Sequence, residues 1–154
     1  MQDSTATRGD LYFTQDHEWI DFQGFKAYVG SCKLLSKDSP QLPQIQFKEN
    51  TGYQKKGKVI ATIHRDNCPI PVRMPVDGRI IGINDVLPLN NLDLLPEHHE
   101  NNEWMLLIEP SRPNDREGLM QIREYKLFCQ TEILKKINDA HNRGYFHLHI
   151  GSLV

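Results

Sequence analysis

Residues 19–29 read Trp-Ile-Asp-Phe-Gln-Gly-Phe-Lys-Ala-Tyr-Val and carry the clearest local signal for the fold. Trp19 to Phe22 and Phe25 to Val29 are two short runs of residues that favour β-strands. Gln23-Gly24 separates the two runs, and a short connection with a glycine is typical of a tight hairpin turn. The stretch therefore predicts two antiparallel strands.

The same pattern continues outward from this hairpin and predicts a mainly β domain. Further strands are predicted at Pro43 to Lys48, Val59 to Ile63, Arg79 to Ile83 and Trp104 to Ile108. Lys55-Lys56-Gly57 predicts a charged turn, and residues 85–103 form a long Pro- and Asn-rich connection.

The chain changes character after Pro113. Asn114 followed by Glu117 is a capping-box-like pair that predicts a helix start, and Gly144 is suited to end the helix. Met120, Leu127 and Leu134 recur every seven residues, as on one face of a helix.

Residues 145–150 then alternate and predict a terminal strand, with Phe146, Leu148 and Ile150 on its apolar face. An exposed edge invites pairing, so we expect either a homodimer through this strand or a tail that docks on the β-domain.

Composition excludes several classes of function. The 154 residues carry a formal charge of −2, which gives no general argument for a nucleic acid or an acidic membrane as partner. No apolar run approaches the roughly 18 residues of a membrane span, and the first residues resemble no secretory signal. We therefore expect a cytoplasmic protein. Three cysteines without a Cys-x-x-Cys pair indicate reduced thiols.

Several blocks of sequence resemble the glycine cleavage system H protein family. Leu11 to Ile20 reads Leu-Tyr-Phe-Thr-Gln-Asp-His-Glu-Trp-Ile and is similar to the opening of that family. Later blocks follow in the same order: Ala27–Gly30, Leu42–Phe47, Lys56–Ala61, Met74–Asn84 and Glu103–Pro110. The resemblance implies a β-sandwich, the barrel-sandwich hybrid of lipoyl and biotinyl carriers, with a C-terminal helical segment. Together with the polar first ten residues and the change of pattern after Pro113, it divides the chain into a flexible tail (1–10), an H-protein-like domain (11–112) and a helical tail with a terminal strand (113–154).

The resemblance also implies a lipoylated lysine at the tip of a protruding hairpin, within a Glu-Ser-Val-Lys-Ala motif. That lysine stands seven residues before the block that Met74 opens here, and counting back without a gap reaches Asn67. No lysine occurs between Lys58 and Lys126, so sliding the hairpin cannot restore one. An asparagine amide is not a nucleophile and cannot replace the amine. We therefore expect no lipoyl cofactor and no other cofactor.

The residues that flank Asn67 also depart from the family motif. His64 and Arg65 stand in place of the glutamate and serine, and Asp66 follows them. Across residues 55–79 the local charge balance is +4, from Lys55, Lys56, Lys58, Arg65, Arg73 and Arg79 against Asp66 and Asp77. If carrier recognition uses an acidic surface, this face has the wrong sign.

Cys68 follows Asn67 and is a candidate reactive thiol, which would need a base or cation nearby. His64 and Arg65 are candidates, but in an extended strand His64 lies roughly 13 Å from Cys68 along the chain, and a turn shortens this distance only by pairing His64 beyond the cysteine, nearer Pro71. His147 and His149 share a strand face and could bind a metal together with His98 and His99. Because no acidic or thiol ligand is fixed beside them, we expect no metal site.

The sequence thus favours a protein-interaction or regulatory module, not an enzyme, whose protein partner belongs to a glycine-cleavage-like or lipoate-linked system. Two alternatives stay open. One is a carrier or thiol-transfer protein that uses Cys68 at the hairpin tip. The other is a true glycine-cleavage carrier modified at a non-standard site.

Overall fold

The computed structural model describes residues 11–34, 43–49, 51–65, 67–85 and 104–142. These residues form antiparallel strands in two sheets, followed by one helix. The strands are β1 (Leu11–Phe13), β2 (Glu18–Gln23), β3 (Lys26–Ser31), β4 (Gln44–Phe47), β5 (Gly52–Gln54), β6 (Val59–Arg65), β7 (Cys68–Arg73), β8 (Gly78–Ile83) and β9 (Leu106–Pro110), and the helix is α1 (Ile122–Asn142). The mainly β prediction is confirmed, although the three-residue strands β1 and β5 carry no clear periodicity in the sequence.

The two sheets have different sizes. The larger one has the order β1-β2-β3-β9-β8-β5, and the smaller one has the order β4-β6-β7. The shared core draws Ile20, Val29, Ile80 and Leu106 from the larger sheet and Ile63 from the smaller one. All five are at most 1% exposed, so the inward faces of the two sheets form one dry interior.

The β2–β3 hairpin forms where the sequence predicts it, with Gln23 paired with Lys26. Gly24 has a φ of 66°, which explains the glycine in this turn. Gly30 on β3 has a different role, because a Cβ added there would overlap the indole ring of Trp19 on β2. Trp19 is 8% exposed, and its ring fits here because Gly30, its partner across the strand pair, has no side chain.

The predicted helix start at Asn114 is wrong, because α1 begins eight residues later, at Ile122. The Asp115 carboxylate accepts the backbone N–H of Glu117 at 2.9 Å and so builds a local turn. Gly118 has a φ of 81°, and Met120 forms a β-bridge with Phe13. The backbone before Ile122 is therefore not helical, because Met120 pairs with Phe13 of β1 instead.

The chain divides into two compact units, residues 1–121 and residues 122–154. In the second unit, Leu127 and Leu134 are 64% and 61% exposed. The seven-residue spacing correctly predicts that they share a helix face, but that face is exposed.

Some sequence predictions fall on residues outside the described part of the chain. These are the tail 1–10, Asp66, the connection 86–103 with His98 and His99, and residues 143–154 with the terminal strand, its homodimer and the histidine pair.

Candidate functional site

The hairpin formed by β6 and β7 is the place where the family resemblance puts a carrier lysine. Arg65 pairs with Cys68, so the connecting loop has two residues, 66 and 67. Asn67 lies in that loop with a φ of 61°, a left-handed conformation that asparagine tolerates better than most residues. The expectation from sequence that Asn67 stands at a hairpin tip agrees with this geometry.

The candidate residues around the loop lie on opposite faces of the hairpin. Direct cross-strand partners share a face, so Arg65 and Cys68 point one way. His64 pairs with Pro69 and points the other way, where its Nε2 lies 3.2 Å from the Gln46 Oε1 on β4. His64 thus pairs just beyond the cysteine, at Pro69 and not nearer Pro71, because the two-residue loop sets a tight register.

Arg65 reaches across the sandwich to the turn that follows β3, a strand of the other sheet. Its Nη2 donates hydrogen bonds to the carbonyl oxygens of Leu34 and, at 3.4 Å, of Lys33. Both carbonyls belong to the turn that follows β3. The Arg65 Nε is buried and has no hydrogen-bond partner among the described residues. The guanidinium that the sequence offered as a cation for Cys68 is thus committed to backbone oxygens.

Cys68 is an exposed free thiol on an edge strand. Its strand β7 also contains Pro69 and Pro71, which lack a backbone N–H. Because β7 has β6 as its neighbour in the described sheet, its other side is an edge, and the prolines remove donors that an added strand would need. This edge is therefore poorly suited to pair with another chain.

The basic residues of segment 55–79 do not gather at the hairpin tip. Arg73 pairs with Val59, six residues along β6 from the Arg65–Cys68 pair and so roughly 20 Å away. Lys58 there forms an ion pair with Glu49 at 3.6 Å, and the Arg73 Nη1 donates to the Gly57 carbonyl at 3.1 Å. The interpretation of a single basic face around Asn67 is wrong, because a hairpin separates its two ends in space.

Glu18, from the His-Glu-Trp block, is buried at the end of the hairpin far from Asn67. Its Oε1 accepts the Thr14 hydroxyl at 2.6 Å, and its Oε2 accepts the backbone N–H of Arg73 at 3.0 Å. The Thr14 hydroxyl oxygen also accepts the backbone N–H groups of Asp16 and Glu18. Burial raises the pKa of the Glu18 carboxyl, while the hydrogen bonds that it accepts from the Thr14 hydroxyl and the Arg73 N–H oppose the rise.

Two cavities adjoin this end of the sandwich. One, of about 410 Å³, is lined by Lys56, Asp77, Ser111, Arg112, Asp115 and Glu117, with Val76 and Gly118. The other, of about 140 Å³, is lined by Glu18 among other residues and shares Lys56 and Gly118 with the first. Both mix acids and bases and lie away from Asn67, and their lining residues form no motif in the sequence.

No cluster of three or more metal-binding side chains occurs among the described residues. No helix in the described part of the chain is long and apolar enough to cross a membrane.

Comparison with known proteins gives one consistent answer. The family model described as "Glycine cleavage H-protein" matches residues 11–132. The glycine cleavage system H protein of Thermoanaerobacter sp. (strain X514) is 27% identical over 122 residues, which cover 79% of this chain and 95% of that protein. Its counterpart from Clostridium botulinum (strain Okra / Type B1) is 29% identical over 121 residues, covering 79% and 92%.

A crystal structure of a glycine cleavage system H protein from Mycobacterium marinum has the same fold, with a TM-score of 0.57. The alignment has 20% identity and covers 76% of this chain and 94% of that one. The barrel-sandwich architecture of the carrier type is thus observed, and the family match extends over most of the sequence. This chain belongs to the glycine cleavage H-protein family.

Proposed function

We propose that this chain is a non-lipoylated member of its family that acts through contacts with another protein of a glycine-cleavage-like or lipoate-linked system. The observation that carries the proposal is the loop of the β6–β7 hairpin, where Asn67 stands and no lysine occurs from residue 59 to residue 125. The nearest lysines in the sequence on either side are Lys58 and Lys126.

The position of Lys58 supports this reading. It lies just before β6, at the end of the hairpin opposite Asn67, and its ammonium pairs with Glu49. An arm attached there would start roughly 20 Å from the loop. A lysine at the base of the hairpin therefore does not substitute for one at the loop. The proposed role is that of a binding module without catalytic activity of its own.

A second candidate function uses Cys68 as a thiol carrier, and its exposure beside the loop is the observation in its favour. Two features weigh against it. His64, the expected base, lies on the opposite face of the hairpin, and the Arg65 guanidinium binds backbone carbonyls. A reactive thiol needs a nearby cation or base to hold its thiolate, so we rank this function below the first.

Intact-mass spectrometry of the natively expressed protein separates the candidates. In a second sample the chain is co-expressed with a lipoate ligase and lipoate, and a relative that carries the family lysine is treated in parallel to show that the ligase works. We expect an unmodified mass. A lipoyl mass that maps to any lysine of this chain would overturn the proposal in favour of a carrier modified at a non-standard site. A thiol adduct on Cys68 that reducing agent removes would favour the second candidate.

A further inference from the structure

We infer that Arg65 is a positioning residue that locks the hairpin loop to the turn Ser31–Leu34, so that Asn67 and Cys68 are held in one fixed arrangement. The inference does not depend on the proposed function, because a modified or an unmodified loop would be held by the same contacts.

The turn that accepts the Arg65 hydrogen bonds is itself well anchored. The Leu34 N–H donates to the Ser31 carbonyl at 3.2 Å, and the Lys33 N–H donates to the Ser31 Oγ at 3.1 Å. Leu34 is 2% exposed and belongs to the core cluster. The two carbonyl oxygens that face Arg65 therefore sit on a rigid support.

The end of the hairpin, by contrast, has little lateral support within its own sheet. The last residue of β6 that pairs with β4 is His64, opposite Gln44. The Arg65–Cys68 pair lies one step further, where the described residues place no third strand beside it. A two-stranded ribbon alone is marginally stable, so a contact from the Arg65 side chain has a large effect on its order.

The guanidinium of Arg65 is chemically well suited to hold two backbone segments together. A guanidinium is always charged, presents several donors in a rigid plane, and makes stronger hydrogen bonds to carbonyl oxygens than a neutral donor does. One side chain thereby ties two segments more than 30 residues apart in sequence, as the separation of 31 between Arg65 and Leu34 shows. Loss of the donors would leave both segments intact but uncoupled.

Amide hydrogen exchange on the full chain tests the lock. Arg65→Met keeps the unbranched stem and removes the donors. Arg79→Met is the matched control, because Arg79 is an exposed residue of β8 for which the described residues show no hydrogen bond to a backbone carbonyl. We expect exchange in the hairpin end, residues 64–68, to rise about tenfold or more in Arg65→Met, because the charged hydrogen bonds that support it are lost, while the separately anchored turn 31–34 changes less. Amides of β3 and β9 should exchange as in the parent protein.

Two outcomes would contradict the inference: unchanged exchange of residues 64–68 in Arg65→Met, or an equal effect in Arg79→Met. A rise that extends equally to β3 and β9 would show a general loss of stability and would also contradict it.

The two exposed cysteines provide a second readout of the same coupling. Cys32 lies in the turn and Cys68 lies opposite Arg65, so spin labels on both, in a Cys129→Ser background, report the distance between the two segments. We expect a narrow distance distribution in the parent and a broader one with Arg65→Met. Equal widths would overturn the lock even if the exchange data favoured it.

Discussion

Glu18 shows how one buried carboxyl ties together distant parts of the sandwich. It joins the β1–β2 turn, through Thr14, to the end of β7, through the Arg73 N–H. The side chain is 1% exposed, so its charge has lost most of its hydration. The His-Glu-Trp block marked this residue in the sequence, but only the fold shows that it contacts β7.

The raised pKa of Glu18 predicts a specific pH dependence of stability. A carboxyl whose pKa is higher in the folded than in the unfolded state stabilises the fold most below its ordinary pKa of 4.5, and this contribution declines as pH rises through the folded pKa. Glu18→Gln removes the titration and weakens one hydrogen bond, at a cost of about 1–3 kcal/mol.

Urea unfolding of parent and Glu18→Gln at several pH values checks this expectation. The gap in unfolding free energy should be largest below pH 4.5 and should narrow as the pH rises. All other carboxyls titrate in both proteins and cancel in the difference. A gap that stays constant or widens with rising pH would show that burial does not dominate at this carboxyl.

Gly30 provides a second test at the scale of one residue. Gly30→Ala should destabilise the protein by about 1–3 kcal/mol, because the added methyl group overlaps the buried Trp19 ring. Gly82→Ala on β8 is the matched control, since its Cβ would lie 3.8 Å from the Leu107 Cβ, an ordinary contact. Chemical denaturation measures both. Equal effects of the two substitutions would show that the Trp19 ring moves aside without strain.

At the scale of the element, the hairpin has Asn67 where the family resemblance implies a lysine, and the flanking residues His64 and Arg65 also differ. Asn67→Lys restores an amine in the loop, but the φ of 61° disfavours lysine, so we expect a loss of about 1 kcal/mol. A substitution at an exposed position without backbone strain would cost only about 0.5 kcal/mol of stability, so the left-handed backbone accounts for the rest.

We predict that Asn67→Lys alone is lipoylated poorly by ligase, lipoate and ATP, and that the triple change His64→Glu, Arg65→Ser and Asn67→Lys is lipoylated substantially. Intact mass measures both, and Asn67→Arg is the control that restores the charge without an amine that can be acylated. Full modification of the single variant would show that recognition survives in this hairpin. No modification of the triple variant would show that the alignment or the hairpin geometry is wrong, or that the loop needs the contact of Arg65 with the turn Ser31–Leu34.

At the scale of the whole molecule, the sequence of the C-terminal residues predicts a strand with one apolar face, which is stable in water only if other residues pack against it. Phe146, Leu148 and Ile150 alternate with polar residues in the sequence. Truncation after Gly144 should lower the melting temperature or the solubility if these residues pack on the chain or on a second copy. Thermal melting and light scattering measure this. An unchanged melting temperature and an unchanged particle size would contradict both versions.

Local patterns in the sequence were sufficient for the elements whose structure depends on neighbours in the chain. The β2–β3 hairpin follows from two β-prone runs around Gly24, and β4 follows from the alternation of Ile45 and Phe47. Counting back from Met74 by the family resemblance reaches Asn67, and the structure places this residue in a two-residue loop. The absence of a lysine at that loop is a property of the sequence alone.

Tertiary structure decided the features that depend on contacts between distant residues. Residues 114–120 hold a helix-start signal, yet Met120 bridges to Phe13 because pairing with β1 outweighs a weak local preference. Arg65 looked like a cation near the thiol, but it binds the Leu34 carbonyl, since side chains on the inner hairpin face meet the opposite sheet. The basic residues that a charge count treats as one group lie at the two ends of the hairpin, about 20 Å apart, because an extended strand rises about 3.3 Å per residue.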